Sequence, residues 1–266
     1  MVRGTLKTNV QGRAKLLTFL ADYHTHTYHS HGKGSVEDNV KAALNKGLEA
    51  IAITDHGPAN LFGVGVKNLK TFELIRQELE ACQVKYPAIR ILLGVEANII
   101  SLGGTLDIPI DQLHEFDIIL AGLHLLVYPD NLATALLFSG NLVGRFWARL
   151  KNALREINTQ AVIASLNRYP IDILTHPGLH VNIDTEAVGS ACCQTHTYME
   201  INTSHDHITP EYLKIAYDAG ARFVIGSDAH SPHRVGDLIS GVEFAKTAGV
   251  PLTAIHNLKI GQETWT

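Results

Sequence analysis

Fifteen histidines in a chain of 266 residues, only 18% of them charged, require a chemical explanation. They gather with carboxylates in short groups. His24 and His26 stand one residue apart with His31 close behind. Asp55-His56, Glu96, His124, His176 ahead of Pro177, and Asp228 just before His230 follow along the chain. Neutral imidazole and carboxylate are the ligands of borderline divalent cations. A set dominated by imidazole suits zinc, with manganese and iron also compatible. Taken singly, most groups have an ordinary reading: His24 and His26 as surface residues, Thr54-Asp55-His56-Gly57 as a turn, His124 or His176 as a structural histidine. Glu96 is harder to dismiss, because it closes the apolar run 91–95, and a carboxylate ending a buried strand needs a cation or hydrogen-bond donors.

These residues share one kind of position. Short apolar runs occur at 17–21, 50–53, 89–95, 118–121, 171–174, 198–201 and 223–225. Their unbroken apolarity predicts strands buried on both faces, as in a parallel sheet covered by helices. Amphipathic stretches at 35–46, 68–85, 145–167, 185–196, 209–219 and 235–248 predict the helices between them. Ser35 followed by Asp38 marks a helix start, and Gly47, Gly220 and Gly249 mark helix ends. Strands alternating with helices imply an α/β fold, and this number of units implies a barrel. Six of the seven runs are followed by a candidate ligand, and in a parallel barrel the C-terminal strand ends share one face, where sites are built. A multi-histidine metal centre is the expected product.

The segments Asp22-Tyr23-His24-Thr25-His26-Thr27, Thr54-Asp55-His56-Gly57, Gly94-Val95-Glu96-Ala97-Asn98, Ala121-Gly122-Leu123-His124, Thr175-His176-Pro177-Gly178 and Gly226-Ser227-Asp228-Ala229-His230 resemble the ordered motifs of the PHP (polymerase and histidinol phosphatase) superfamily. The resemblance covers about residues 22–236 and is strongest to its small single-domain bacterial members. It implies a distorted, TIM-like (β/α)7 barrel with parallel strands and an outer ring of helices. It further implies three divalent metals, typically zinc, and hydrolysis of phosphoesters. Carried over by position, one metal falls to His24, His26, Glu96 and Asp228, a second to Glu96, His124 and His176, and a third to His31, His56 and His230. Glu96 bridges two of them. His31 is favoured over His29 because it begins the loop His31-Gly32-Lys33-Gly34. With neutral histidines and a bridging hydroxide, such a site carries about +3 and attracts an anion.

The resulting expectation is a metal-dependent phosphoesterase acting on small phosphomonoesters, with no protein nucleophile. Neither Cys192-Cys193 nor a serine lies in a Gly-x-Ser-x-Gly context. Lys33 and Arg234, within four residues of expected ligands, are the expected phosphate contacts. His180, His205, His207 and His233 follow strand ends and fit a cavity rim or exposed loops, while His114, His196 and His256 fit surface or structural roles. Alternatives are a histidinol-phosphate phosphatase, a nuclease-like phosphodiesterase and a non-catalytic metal-binding regulatory module. The complete ligand set speaks against the last.

Composition bounds the rest. Hydrophobic residues make up 45% and the net charge is −4, so the chain is globular and lacks the basic stripe of a nucleic-acid binder. Cys82, Cys192 and Cys193 form neither a disulfide framework nor a C-x-x-C pair, which suits a reducing cytoplasm. No apolar run is long enough to span a bilayer. Residues 1–266 are read as one barrel domain with a leader over 1–16. The longest inter-strand segment, 127–169, is read as a crossover helix behind a packed loop, with a lid or dimer surface as the alternative because Leu136-Leu137-Phe138 and Phe146-Trp147 exceed one packing face. Oligomeric state stays open.

Overall fold

A computed structural model describes residues 5–10, 13–144 and 147–262 of the chain. Among them, seven strands form one parallel sheet in sequence order: β3 (Ala21–Asp22), β4 (Ala50–Ile53), β5 (Arg90–Asn98), β6 (Ile118–Gly122), β7 (Ile173–Leu174), β8 (Tyr198–Asn202) and β9 (Arg222–Gly226). Beyond the last strand, a parallel bridge between Thr25 and Ala229 joins the two edges and nearly closes the barrel. The buried Asp22 carboxylate reinforces this seam by accepting from the backbone N–H groups of Ser227 (3.2 Å) and Gly236 (2.8 Å).

The two faces of the strands divide the work. Outward residues such as Ile51, Ile53, Leu93, Val95 and Ile225 join the large core under the helices, while Ala52, Leu92, Ile118, Leu120, Ile173 and Val224 form a separate cluster inside the barrel. That cluster is an apolar floor. Removing one of its larger members, as in Leu120→Ala, would cost about 2–5 kcal/mol through lost transfer energy and a residual cavity. On the same inward-facing register, β5 and β8 carry Glu96 and Glu200, toward the C-terminal ends of their strands.

Helices α1 (Val36–Asn45), α2 (Thr71–Lys85), α3 (Leu132–Gly144), α4 (Ala148–Arg168), α5 (Thr185–Thr195), α6 (Pro210–Asp218) and α7 (Ile239–Thr247) cover the outside. The expected start at Ser35 is a reciprocal capping box with Asp38. Gly47, Gly220 and Gly249 all take positive φ at helix ends, as expected of them. Among the described residues, no helix is long and apolar enough to cross a membrane.

Two expectations are revised. The run at 17–21 is not one strand: Arg13–Phe19 (β2) pairs antiparallel with Thr5–Val10 (β1) and with Leu258–Gln262 (β10), and only after Leu20 does the chain enter the barrel as β3. Much of the supposed leader is therefore sheet; residues 1–4 and 11–12 lie outside the described residues. The packed loop ahead of the crossover helix is itself helical, α3, and pairs with α4 through reciprocal amide hydrogen bonds between Asn141 and Asn158, both 2.8 Å. Arg145 and Phe146, part of the lid reading, lie outside the described residues.

Candidate metal centre

Every expected ligand sits on a C-terminal strand end or in the loop that follows it, and the barrel brings all of them to one mouth. At the middle is Glu96, fully buried. Its Oε1 lies 2.8 Å from His176 Nε2 and 3.3 Å from His124 Nε2. Its Oε2 lies 2.9 Å from His56 Nδ1, 3.2 Å from His24 Nε2 and 3.6 Å from His26 Nε2. Asp228 faces the same group, with Oδ1 at 3.3 Å from His26 Nε2 and 3.5 Å from His24 Nε2. The His31 ring centroid is 4.1 Å from that of His230 and 5.0 Å from that of His56. His29 turns away, its Nε2 2.9 Å from Glu78 of α2.

His176 Nε2 and Glu96 Oε1 are hydrogen-bonded, but most of this closeness is not hydrogen bonding. His24 Nε2, both ring nitrogens of His26, His56 Nδ1, His230 Nε2 and Glu96 Oε2 are buried and have no hydrogen-bond partner. Buried polar atoms left in this state cost about 1–3 kcal/mol each, and a cluster of them converging on common points is what a cation satisfies. Among the described residues, three trios have ligand atoms within 4.8 Å of one another: His24, His26 and Asp228; His26, His56 and His230; His56, Glu96 and His124. The first falls inside one carried-over set. The other two cut across the sets, since His26 and His56 lie between neighbours on both sides. The donors present thus fit divalent metal.

Outer contacts decide which nitrogen each ring presents. The Nδ1–H of His24 donates to Glu200 Oε1 (2.7 Å), that of His124 to Asn98 Oδ1 (2.7 Å), that of His31 to the Val64 carbonyl (3.1 Å) and that of His230 to the Asp228 carbonyl (2.9 Å). Each bond leaves Nε2 free to ligate. Asn98 is itself fixed, donating Nδ2–H to Asn60 Oδ1 and to the buried Asp107, which explains the asparagine in Glu96-Ala97-Asn98. Asp55 is a clamp, not a turn cap: it accepts from the N–H and Oγ1–H of Thr27 and from Ser30 Oγ–H, holding the loop between His26 and His31.

Backbone geometry carries the same signature. His176 and Asp228 both have positive φ, +27° and +48°, a conformation costly for non-glycine residues and concentrated at functional sites. Gly226 is required for another reason: a Cβ there would lie 2.0 Å from Glu200 Oε1, so only glycine lets that carboxylate reach His24.

Burial sets the protonation states. It pushes the Glu96 carboxyl up, but His56, His24 and His124 outweigh it and hold the group well below the usual carboxylate range. Burial lowers His124 and His31 to about 4 and takes His26 well below its ordinary value, so these rings are neutral, the ligating form. His24 runs the other way. Burial opposes its charge, yet Glu200, Glu96 and Asp228 hold it well above its ordinary value.

Glu200 is the residue that sequence reasoning missed. It is buried and accepts from His24, from the His176 N–H (2.8 Å) and from Asn202 Nδ2 (3.1 Å). The signal was present, since a glutamate inside the apolar run at 198–201 poses the same question as Glu96. His205, from the loop after β8, approaches Asp228 Oδ2 at 3.2 Å. The centre opens into a cavity of about 370 Å³ whose lining includes His31, His56, His124, His176, His205 and His230. Lys33 and Arg234 are not among its lining residues. The Arg234 guanidinium is engaged instead by Asp237, the Thr203 carbonyl and Ser204, because the short helical turn that carries it, 232–234, packs beside α1.

Comparison with known proteins agrees with this geometry. Residues 22–227 match the PHP domain family. A Caldanaerobacter subterraneus protein named "Probable phosphatase" is 30% identical over 261 residues, 94% of this chain and 91% of the relative. A Shewanella halifaxensis protein of the same name is 29% identical over 252 residues, 91% and 89%. In structure, the chain resembles the histidinol phosphate phosphatase of Lactococcus lactis, solved with zinc, L-histidinol and phosphate, at a TM-score of 0.57 and 16% identity over 87% of this chain and 94% of that one. At that identity the likeness is one of fold. The family match extends from the first histidine motif almost to Asp228, and the chain belongs to the PHP domain family.

Proposed function

We propose that the protein is a phosphomonoesterase that works with three divalent ions, zinc by preference, held by His24, His26, His31, His56, Glu96, His124, His176, Asp228 and His230. Its coarse class, a metal-dependent phosphatase, is supported by the PHP domain match, by relatives named probable phosphatase and by the clustered ligand atoms. The observation that carries the finer reading is Glu96: one buried carboxylate within 3.6 Å of five imidazoles is an arrangement suited to ligands shared between cations.

Divalent ions at such a site supply neutralisation of phosphoryl charge and activation of water. The chain does the positioning. Glu200, Asn98 and the carbonyls of Val64 and Asp228 hold four imidazoles with Nε2 toward the centre, and Thr175 Oγ1–H donates to Glu96 Oε1 (2.8 Å). The ordering is done before substrate arrives, so none of it is lost at the moment of reaction. A monoester fits better than a polynucleotide, because the described lining of the cavity carries no Lys or Arg to follow a phosphate backbone.

The test joins metal analysis to matched substrates. Purified or reconstituted protein should hold about three divalent ions per chain and turn over aryl phosphomonoesters faster than the corresponding diesters. Faster diester turnover, or no transition metal after reconstitution, overturns the reading.

A further inference from the structure

The cavity above the histidines has two unlike walls. Facing the imidazoles are Val64, Leu123, Leu125, Leu126, Leu142 and Leu179, brought from the loops after β4, β6 and β7 and from α3. Leu123 and Leu125 also belong to the buried core, so packing accounts for them. It does not account for Leu126, which is 49% exposed, and Leu142, though packed against that core, is only partly buried. Both turn apolar surface toward the space where a phosphoester must sit.

The loops that supply this wall carry further exposed apolar surface. The loops after β4 and β6 hydrogen-bond to each other, Leu61 N–H to the Leu126 carbonyl (2.9 Å) and Tyr128 N–H to the Ala59 carbonyl (2.8 Å). This short ladder carries Phe62 and Tyr128, large hydrophobics left 85% and 64% exposed. Charge complementarity is missing on the same side. Among the described lining residues the one carboxylate is Asp228, already facing His24, His26 and His205, and there is no Lys or Arg. An ammonium or carboxylate on the leaving group would lose hydration here without meeting an oppositely charged Lys, Arg or free carboxylate among the described lining residues.

We infer that the phosphomonoester hydrolysed at this site is that of an uncharged, apolar alcohol, an alkyl or aryl chain lying on Leu126 and Leu142 with its phosphate on the histidine wall. The inference rests on the phosphomonoesterase reading above and adds the substrate class. Each methylene that moves from water onto such a wall gains from the hydrophobic effect, up to about fourfold in affinity. Selectivity should therefore grow with chain length until the cavity is full.

The experiment uses metal-loaded protein with methyl, butyl and hexyl phosphate, glycerol phosphate and phosphoethanolamine as substrates, and methyl- and hexylphosphonate as non-hydrolysable ligands. Hexyl phosphate should exceed methyl phosphate in kcat/KM by tenfold or more, glycerol phosphate and phosphoethanolamine should be the poorest, and calorimetry should show hexylphosphonate binding tighter than methylphosphonate by a similar factor. Leu126→Asn and Leu142→Asn, at positions that are not fully buried, should each cut the hexyl-to-methyl ratio by about fivefold in both readouts. Turnover of the polar or charged esters at the hexyl rate, or an unchanged ratio in both variants, overturns the substrate class and leaves the phosphomonoesterase reading standing. Failure to hydrolyse any monoester, with diesters turned over, overturns both.

Discussion

The Nδ1–H of His24 donates to Glu200 Oε1 across 2.7 Å, although 176 residues separate the two in sequence. Six of the strand runs were expected to supply ligands; the seventh, β8, supplies the group that orients one of them. Glu200 also accepts from the backbone of His176, so a single carboxylate positions residues on opposite sides of Glu96.

Replacing that carboxylate should loosen metal without unfolding the barrel. Glu200→Gln keeps one oxygen for His24 but turns an amide nitrogen toward His176 N–H and Asn202 Nδ2, both donors. Losses of outer-shell partners of this kind lower metal affinity about 10–100-fold. Competition with a chromophoric chelator measures it; wild-type affinity would remove Glu200 from the site.

Among the expected ligands, Asn98 should act on His124. Asn98→Leu deletes the acceptor that fixes the ring and also removes the Nδ2–H donor to the buried Asp107. The backbone N–H donors of Asn98 and Ala59 survive, so the expected cost combines about 1–3 kcal/mol of stability for the lost hydrogen bond to the carboxylate with a drop in activity of tenfold or more. Asn98→Asp separates the two effects, because it restores an acceptor for His124 while placing a second carboxylate beside Asp107.

Glu96→Gln probes the centre. The amide is nearly isosteric but neutral, and its nitrogen cannot bind a cation, so metal content and hydrolysis should fall together while circular dichroism stays native. Wild-type protein stripped by a chelator should melt about 5 °C or more below the loaded form, since a ligand at 100 times its Kd stabilises by about 2.7 kcal/mol. The variant's midpoint should hardly respond to the chelator. A chelator response equal to wild type would place the metals elsewhere.

An acid-dependent contribution to stability should come from the first turn of α1. Glu37 of α1 faces Lys85 (2.6 Å), Tyr86 Oη (2.7 Å) and Lys41 (2.9 Å). These hydrogen bonds, Lys85 first, lower its carboxyl from 4.5 to about 2. A depressed folded-state value means stability that is present above about pH 4.5 and lost as pH falls toward 2. Glu37→Gln should therefore lower the thermal midpoint slightly at pH 7, by about 1–3 °C at low salt, with the difference shrinking in high salt because the group is exposed. Wild type and variant should converge near pH 2. A difference that grows in acid would contradict the assignment.

Much of this protein was legible in its residues. Runs such as 50–53 and 118–121 read as strands because a parallel barrel buries both of their faces, and that pattern is local. Ser35 with Asp38 and the glycines at 47, 220 and 249 read as helix ends because caps are satisfied within a few residues. Glu96 read as a site residue because a carboxylate ending an apolar strand is costly wherever the chain folds.

Only the tertiary structure decided the remainder, for reasons of distance. The sheet of β1, β2 and β10 joins the two ends of the chain, and pairing across such a separation leaves little trace in short, mixed sequences. Glu200 becomes a site residue only when β8 and β9 lie side by side and Gly226 leaves room for it. Arg234 sits four residues from His230 in sequence, but its guanidinium is held by Asp237, Thr203 and Ser204, away from the cavity. The sequence determined which atoms can bind a cation. The barrel decided which of them meet, because ligation depends on ångströms in space, and spacing along the chain reports them only where both partners share one turn or one strand.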